Sequence, residues 1–138
     1  MEIIKWSDKY LVGIKEIDNQ HKGLVVLINE LFNLMTEGKA KDNMNEIFIH
    51  LTEYTKKHFY TEEAMLIKFA YKDYTQHKKE HEKFIEKLDE LRSEFDNGKV
   101  TISIETLNFL KDWLLNHIFI SDKKYAPFIS EENEILKL

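Results

Sequence analysis

Residues that end helices are scarce in this chain: 138 positions hold four Gly and one Pro. A sandwich of many short strands needs many turns, and turns need such residues. The scarcity predicts long helices instead. Ile17, Leu24, Leu27, Ile28, Leu31, Phe32 and Met35 recur at the spacing of one helix face. Asp18 can cap that helix and Gly38 can end it. A second helix is expected from near Asp42 to about Phe69, with Ile47, Leu51, Tyr54, Met65 and Phe69 inward. Asp73 with Gln76 offers a capping box for a third, which carries Phe84, Leu88, Leu91 and Phe95 and stops at Asn97-Gly98. Ser103 can cap a fourth, with Leu107, Leu110, Trp113 and Leu114 inside. Residues 1–16 read as a non-helical arm, and the tail after Asp122, which contains Pro127, has room for one short helix near 130–137. Three short connections make successive helices antiparallel neighbours. The expected fold is all-α: a single domain over residues 1–138, an up-down-up-down antiparallel four-helix bundle with a non-helical N-terminal arm and a short C-terminal tail.

Composition then narrows the chemistry. With no Cys, thiolate zinc sites, iron–sulfur clusters, disulfides and Cys nucleophiles are excluded, and any transition metal must be held by nitrogen and oxygen. Twenty Lys and Arg against 25 Asp and Glu give a net charge of −5, without the basic stripe that nucleic acid requires. The N-terminus lacks the pattern of a secretory signal, and no run of about 18 uncharged apolar residues could span a bilayer. A cytoplasmic protein that engages neither nucleic acid nor membrane is expected, and its protein partner is unknown.

Five of the six histidines fall on the inward stripes. His21 keeps helical spacing with Ile17, Leu24 and Ile28, and His58 follows Tyr54 by four. His77 and His81 lie one turn apart and lead into Phe84 and Leu88, and His117 follows Trp113 by four. Glu62 shares a face with His58, and Asp122 follows His117 by five. Depth is an independent test. In an antiparallel bundle the start of helix 1, the end of helix 2, the start of helix 3 and the end of helix 4 meet at one end. At 1.5 Å rise per residue, all seven groups lie within roughly 20 Å of that end. His50 lies roughly 30 Å from it and reads as a surface residue. One core histidine alone is more often a hydrogen-bonded structural residue than a ligand. Five converging imidazoles are different, because buried together without a cation they leave donors and acceptors unsatisfied, and charging them makes them repel. Five nitrogens and two carboxylates exceed what one tetrahedral zinc accepts and suit two ions bridged by both carboxylates.

These residues resemble the hemerythrin family, in particular its bacterial single-domain members. The resemblance covers nearly the whole chain. It rests on Trp6 with Gly13, Ile-Asp-Asn-Gln-His at 17–21, His-Phe-Tyr-Thr-Glu-Glu at 58–63 with Met65, His-Lys-Lys-Glu-His at 77–81, and Trp-Leu-Leu-Asn-His-Ile at 113–118 with Asp122 and Tyr125. One departure is Tyr71-Lys72, where the family often has Tyr-Pro before the third helix. The resemblance implies two iron ions joined by an oxo or hydroxo group. His77, His81 and His117 would fill one iron, and His21 with His58 would hold the other, leaving one position open to O2 as a ligand. Glu62 and Asp122 would bridge. Phe59, Trp113, Leu114 and Ile118 would wall the O2 pocket. The implied function is reversible O2 binding, as carrier, store or scavenger, with no catalytic residue. The alternatives are a stand-alone O2 or redox sensor, or a weak di-iron peroxidase or nitric oxide scavenger. A ferritin-like oxidase would use Glu-x-x-His pairs, which are absent, as is the His-Glu-x-x-His of zinc proteases.

Overall fold

A computed structural model describes residues 2–129. Four helices form the bundle: α1 (Lys15–Thr36), α2 (Ala40–Lys68), α3 (Tyr74–Asp96) and α4 (Ile102–Asn116). α1 and α3 each pack on both α2 and α4, which closes the ring, and the diagonal contact between α2 and α4 is lighter. α4 continues into a π-helical turn, His117–Asp122, and residues 123–129 are again helical. No described helix is long and apolar enough to cross a membrane. The short helix expected near 130–137 lies outside the described residues.

The connections are short because three helices end in the same way. The residue after each C-cap adopts a left-handed conformation: Gly38 (φ 71°), Ala70 (φ 52°) and Gly98 (φ 85°). Each is flanked by a pair of bonds that returns the chain, as in Lys39 N–H to Leu34 O (2.7 Å) and Gly38 N–H to Met35 O (3.1 Å). Ala70 uses the same pair, through Tyr71 N–H to Leu66 O (2.9 Å) and Ala70 N–H to Ile67 O (3.0 Å). An L side chain in that conformation costs about 1–2 kcal/mol, partly offset by the lower entropy of unfolded Ala. Ala70→Gly is therefore expected to stabilise the protein by about 0.5–1 kcal/mol, read as a Tm raised by a few degrees in thermal unfolding. An unchanged or lower Tm would show that the Ala70 methyl carries more than this geometry indicates.

The start signals differ from expectation. Asp18 does not cap α1, which begins three residues earlier. Instead its carboxylate accepts from Val12 N–H (2.8 Å) and Gly13 N–H (3.2 Å), so it fastens the arm to the helix. The arm is not wholly non-helical, since Asp8–Tyr10 form a 3-10 turn. Asn29 ties down its other end, accepting from Ile3 and Ile4 N–H and donating to Ile4 O, all at 3.0 Å. Asp73 caps α3 by position but makes no capping bond with its side chain, and Thr101 rather than Ser103 precedes α4. On α2 the buried face is Met44, Phe48, Leu51, Thr55, His58, Phe59, Glu62 and Leu66. Ile47, Tyr54, Met65 and Phe69, expected inward, are half-buried at its flanks.

Candidate metal centre

The ring of helices brings His21, His58, Glu62, His77, His81, His117 and Asp122 together, all buried. His21 comes from the first turns of α1, His58 and Glu62 from the last third of α2, and His77 and His81 from the start of α3. His117 and Asp122 open and close the π-helical turn. An ordinary helix would set two residues five apart about 140° out of phase, at 100° per residue. The wider π turn brings both side chains inward. His50 is exposed on α2 and takes no part.

Two groups form around shared carboxylates. Ligand atoms of Glu62, His77, His81 and His117 lie within 4.8 Å of one another, and so do those of His21, His58, Glu62 and Asp122. The carboxylates straddle the groups atom by atom. Glu62 Oε1 contacts His77 Nε2, lies 3.0 Å from His81 Nε2 and 3.6 Å from His117 Nε2, while Oε2 lies 3.4 Å from His58 Nε2. Asp122 Oδ1 is 2.9 Å from His117 Nε2 and 3.2 Å from His77 Nε2, while Oδ2 is 3.0 Å from His21 Nε2. The buried Tyr125 hydroxyl donates to Glu62 Oε2 at 3.1 Å.

His77 and His81 reach Glu62 Oε1 within hydrogen-bond distance, but elsewhere in the cluster proximity is not hydrogen bonding. His21 Nε2, His58 Nε2 and both Asp122 oxygens are buried without a hydrogen-bond partner, although each has an oppositely polar atom nearby. His81 Nε2 and His117 Nε2 face each other at 3.3 Å. Orphaned buried polar atoms are costly, and lone pairs aimed at a common point are the arrangement a cation satisfies. The carboxylate–imidazole pairs at 2.9–3.6 Å also fit, since metal bonds of about 2.0–2.2 Å set ligand atoms no more than about 4.4 Å apart across an ion. The residues present therefore fit a metal pair with nitrogen and oxygen ligands.

The electrostatics agree. Burial pushes His58 down to about 4, against the pull of Glu62, with His21 adding repulsion. Burial also disfavours the charged form of His77, but the nearby Asp122 and Glu62 carboxylates outweigh it and hold its pKa up at about 9. His117 is raised in the same way, burial being overcome by the Asp122 charge. Burial would raise Glu62 and Asp122, yet the surrounding imidazoles hold both below the usual carboxylate range. Without a cation, protons must therefore do the work of balancing two buried carboxylates. A divalent pair replaces them and leaves every imidazole neutral.

The backs of the imidazoles are also placed. His58 Nδ1 donates to Gln20 Oε1 at 2.6 Å, and Gln20 Nε2 donates to Thr61 Oγ1 at 3.4 Å. The Tyr54 hydroxyl donates to Gln20 O at 2.8 Å. It passes so close to Gly23 that a Cβ there would sit 1.8 Å from it, which explains a glycine inside α1. His81 Nδ1 donates to Glu63 Oε2 at 2.9 Å, and His117 Nδ1 faces Glu80 Oε2 at 3.4 Å. Gln20, Glu63 and Glu80 lie inside the motifs read from the sequence, which gave none of them this role. Of the four expected pocket residues, Phe59, Leu114 and Ile118 are buried in the main core and Trp113 packs against it. Phe59 stacks on His81 (3.9 Å, 7°) and Trp113 on His117 (4.2 Å, 15°).

Comparison with known proteins agrees with this geometry. The hemerythrin HHE cation binding domain matches residues 12–129. Bacteriohemerythrin of Pseudomonas aeruginosa is 35% identical over 99% of this chain and 89% of its own length. Bacteriohemerythrin of Methylococcus capsulatus is 30% identical over 94% and 99%. Myohemerythrin-1 of Phascolopsis gouldii is 32% identical over 87% and 89%. A wild-type hemerythrin crystal structure superposes with a TM-score of 0.84 at 29% identity, covering 93% of this chain and 98% of that one. The chain belongs to the hemerythrin family.

Proposed function

We propose that this protein binds O2 reversibly at two iron ions. His77, His81 and His117 would hold one, His21 and His58 the other, and Glu62 and Asp122 would bridge them. The observation that carries this reading is the division of the two carboxylates: one oxygen of each faces the three-histidine group and the other faces the two-histidine group. With three imidazoles on one side and two on the other, His21 and His58 would leave their ion a position free for O2. Bound as a ferrous pair, the metal would supply the two electrons that O2 takes up, and would regain them on release. Five neutral nitrogens against two carboxylates keep the site less anionic than carboxylate-rich di-iron oxygenases, which favours release over O–O cleavage.

The chain's own part is to hold the ligands still and to keep water out. Phe59 and Trp113 cover the outer faces of His81 and His117, and Leu114 and Ile118 are buried with Phe59 in a continuous apolar cluster. Tyr125 fixes the Glu62 oxygen that faces His58. The test is O2 titration of the iron-loaded, reduced protein. It should start nearly colourless, gain a visible charge-transfer band in O2 and lose it when O2 is withdrawn, through repeated cycles. Irreversible oxidation on first exposure, with no recovery, would overturn the reading. Leu114→Ala should shorten the lifetime of the O2-dependent band by admitting water, while its cavity costs about 2–5 kcal/mol of stability.

A further inference from the structure

The five imidazoles are not backed alike. Behind the three-histidine group stand two carboxylates, each supplied by a neighbouring helix. Glu63 reaches from α2 to His81 on α3, at 2.9 Å from Nδ1. Glu80 reaches from α3 to His117 beyond α4, with Oε2 3.4 Å from Nδ1, close enough to act by its charge but without a hydrogen bond. Both are largely shielded, with side chains 20% and 32% exposed, so water weakens their fields only in part. Among the described residues no carboxylate backs the two-histidine group in this way. His58 Nδ1 meets the neutral amide of Gln20, and His21 Nδ1 is buried with no hydrogen-bond partner.

An imidazole that donates Nδ1–H to a carboxylate is a stronger donor through Nε2 and takes on part of the carboxylate's negative charge. That favours the more highly charged state of the ion it holds. We propose that Glu63 and Glu80 are positioning residues that make the two iron positions unequal, biasing the three-histidine position toward ferric iron while the Gln20-backed position keeps ferrous iron more readily. The proposal rests on the di-iron reading. It adds that the inequality comes from outer charge as well as from the count of histidines.

The test uses the full chain loaded with iron and follows its two one-electron reductions by spectroelectrochemistry, with iron content and thermal unfolding measured alongside. In the wild type the three-histidine iron should be the harder to reduce. Glu63→Gln keeps the shape and the acceptor but removes the charge, and Glu80→Gln removes the charge behind His117 at nearly constant shape. Each should raise the lower potential selectively. A tenfold change in the preference for ferric over ferrous iron, the lower end of what outer partners give, is about 59 mV. Gln20→Glu does the converse: charge added behind His58 should lower the higher potential and also narrow the gap. This reciprocal variant decides the matter even where a Gln variant loses iron or stability. Two irons with both potentials unmoved, or both shifted equally, would overturn the proposal and leave the di-iron reading intact. A wild type without two irons would overturn both.

Discussion

His77→Ala is expected to abolish the paired iron site, while His50→Ala leaves it whole. His77 Nε2 meets Glu62 and lies 3.2 Å from Asp122 Oδ1, so it touches both carboxylates proposed to bridge. On the proposed ligand set, removing it would take one of three nitrogens from its ion and unseat both bridges. Loss of an outer partner alone costs about 10–100-fold in metal affinity, and loss of a ligand should exceed that. His50 has the same chemistry, but it is exposed and sits about 18 Å along α2 from Glu62. Iron analysis of the purified proteins, with visible spectra in O2, separates the two. Equal iron loss in both variants would refute the placement of the site. Glu62→Ala should resemble His77→Ala, because it removes an oxygen from each ion. Glu63→Ala needs a different expectation from the one its sequence position suggests. About 100° around the helix from Glu62, it reads as an indifferent surface residue. Its contact with His81 Nδ1 makes a moderate loss of affinity the expected result.

The contrast between Glu62 and Glu63 marks where sequence reasoning stops. Inward direction and depth along a helix depend only on spacing and rise, which is why His21, His58, His77, His81 and His117 could be read together. The backs of the imidazoles are reached from neighbouring helices, and which of many carboxylates or amides arrives there depends on how each helix is rotated. Gln20, Glu63 and Glu80 therefore stand inside the motifs at 17–21, 58–63 and 77–81 without spacing giving any of them this role. The buried face of α2 was displaced for a related reason. Thr55, His58 and Glu62 occupy it, so the site itself interrupts the apolar stripe, and the flanking Ile47 and Tyr54 look more apolar than the true interior. The five-residue step from His117 to Asp122 was visible, and an ordinary helix cannot place both inward. That misfit was the available sign of the π turn. Asp18 was misread because a carboxylate near a helix start suits a cap as well as it suits the arm's free N–H groups at Val12 and Gly13.

Stripping the metal should leave a protein whose stability peaks near pH 6.5 and falls on both sides. The unfolded chain protonates its histidines near 6.5. In the folded, metal-free protein burial keeps His58 neutral down to about 4, so between 6.5 and 4 the unfolded state binds the extra proton and stability falls with pH. Glu62 and Asp122, held below the ordinary carboxylate range by the imidazoles around them, act in the same direction at more acid pH. His77 does the opposite. Despite its burial, Asp122 and Glu62 hold it protonated up to about 9. From 6.5 to 9 the folded state therefore carries the extra proton, and stability falls as pH rises. His117, raised in the same manner, steepens that limb. Each pKa unit is worth about 1.4 kcal/mol, so the alkaline limb should amount to a few kcal/mol, or on the order of 10 °C in Tm. In the metal-loaded protein the ions take the place of those protons. The alkaline limb should then disappear, while the acid limb should sharpen because protons compete with metal for the same nitrogens. Calorimetry of both forms at pH 5, 6.5 and 9 checks this directly. A metal-free protein that gains stability steadily up to pH 9 would show that His77 and His117 are not held protonated by the bridging carboxylates, and that the cluster opens when its cation leaves.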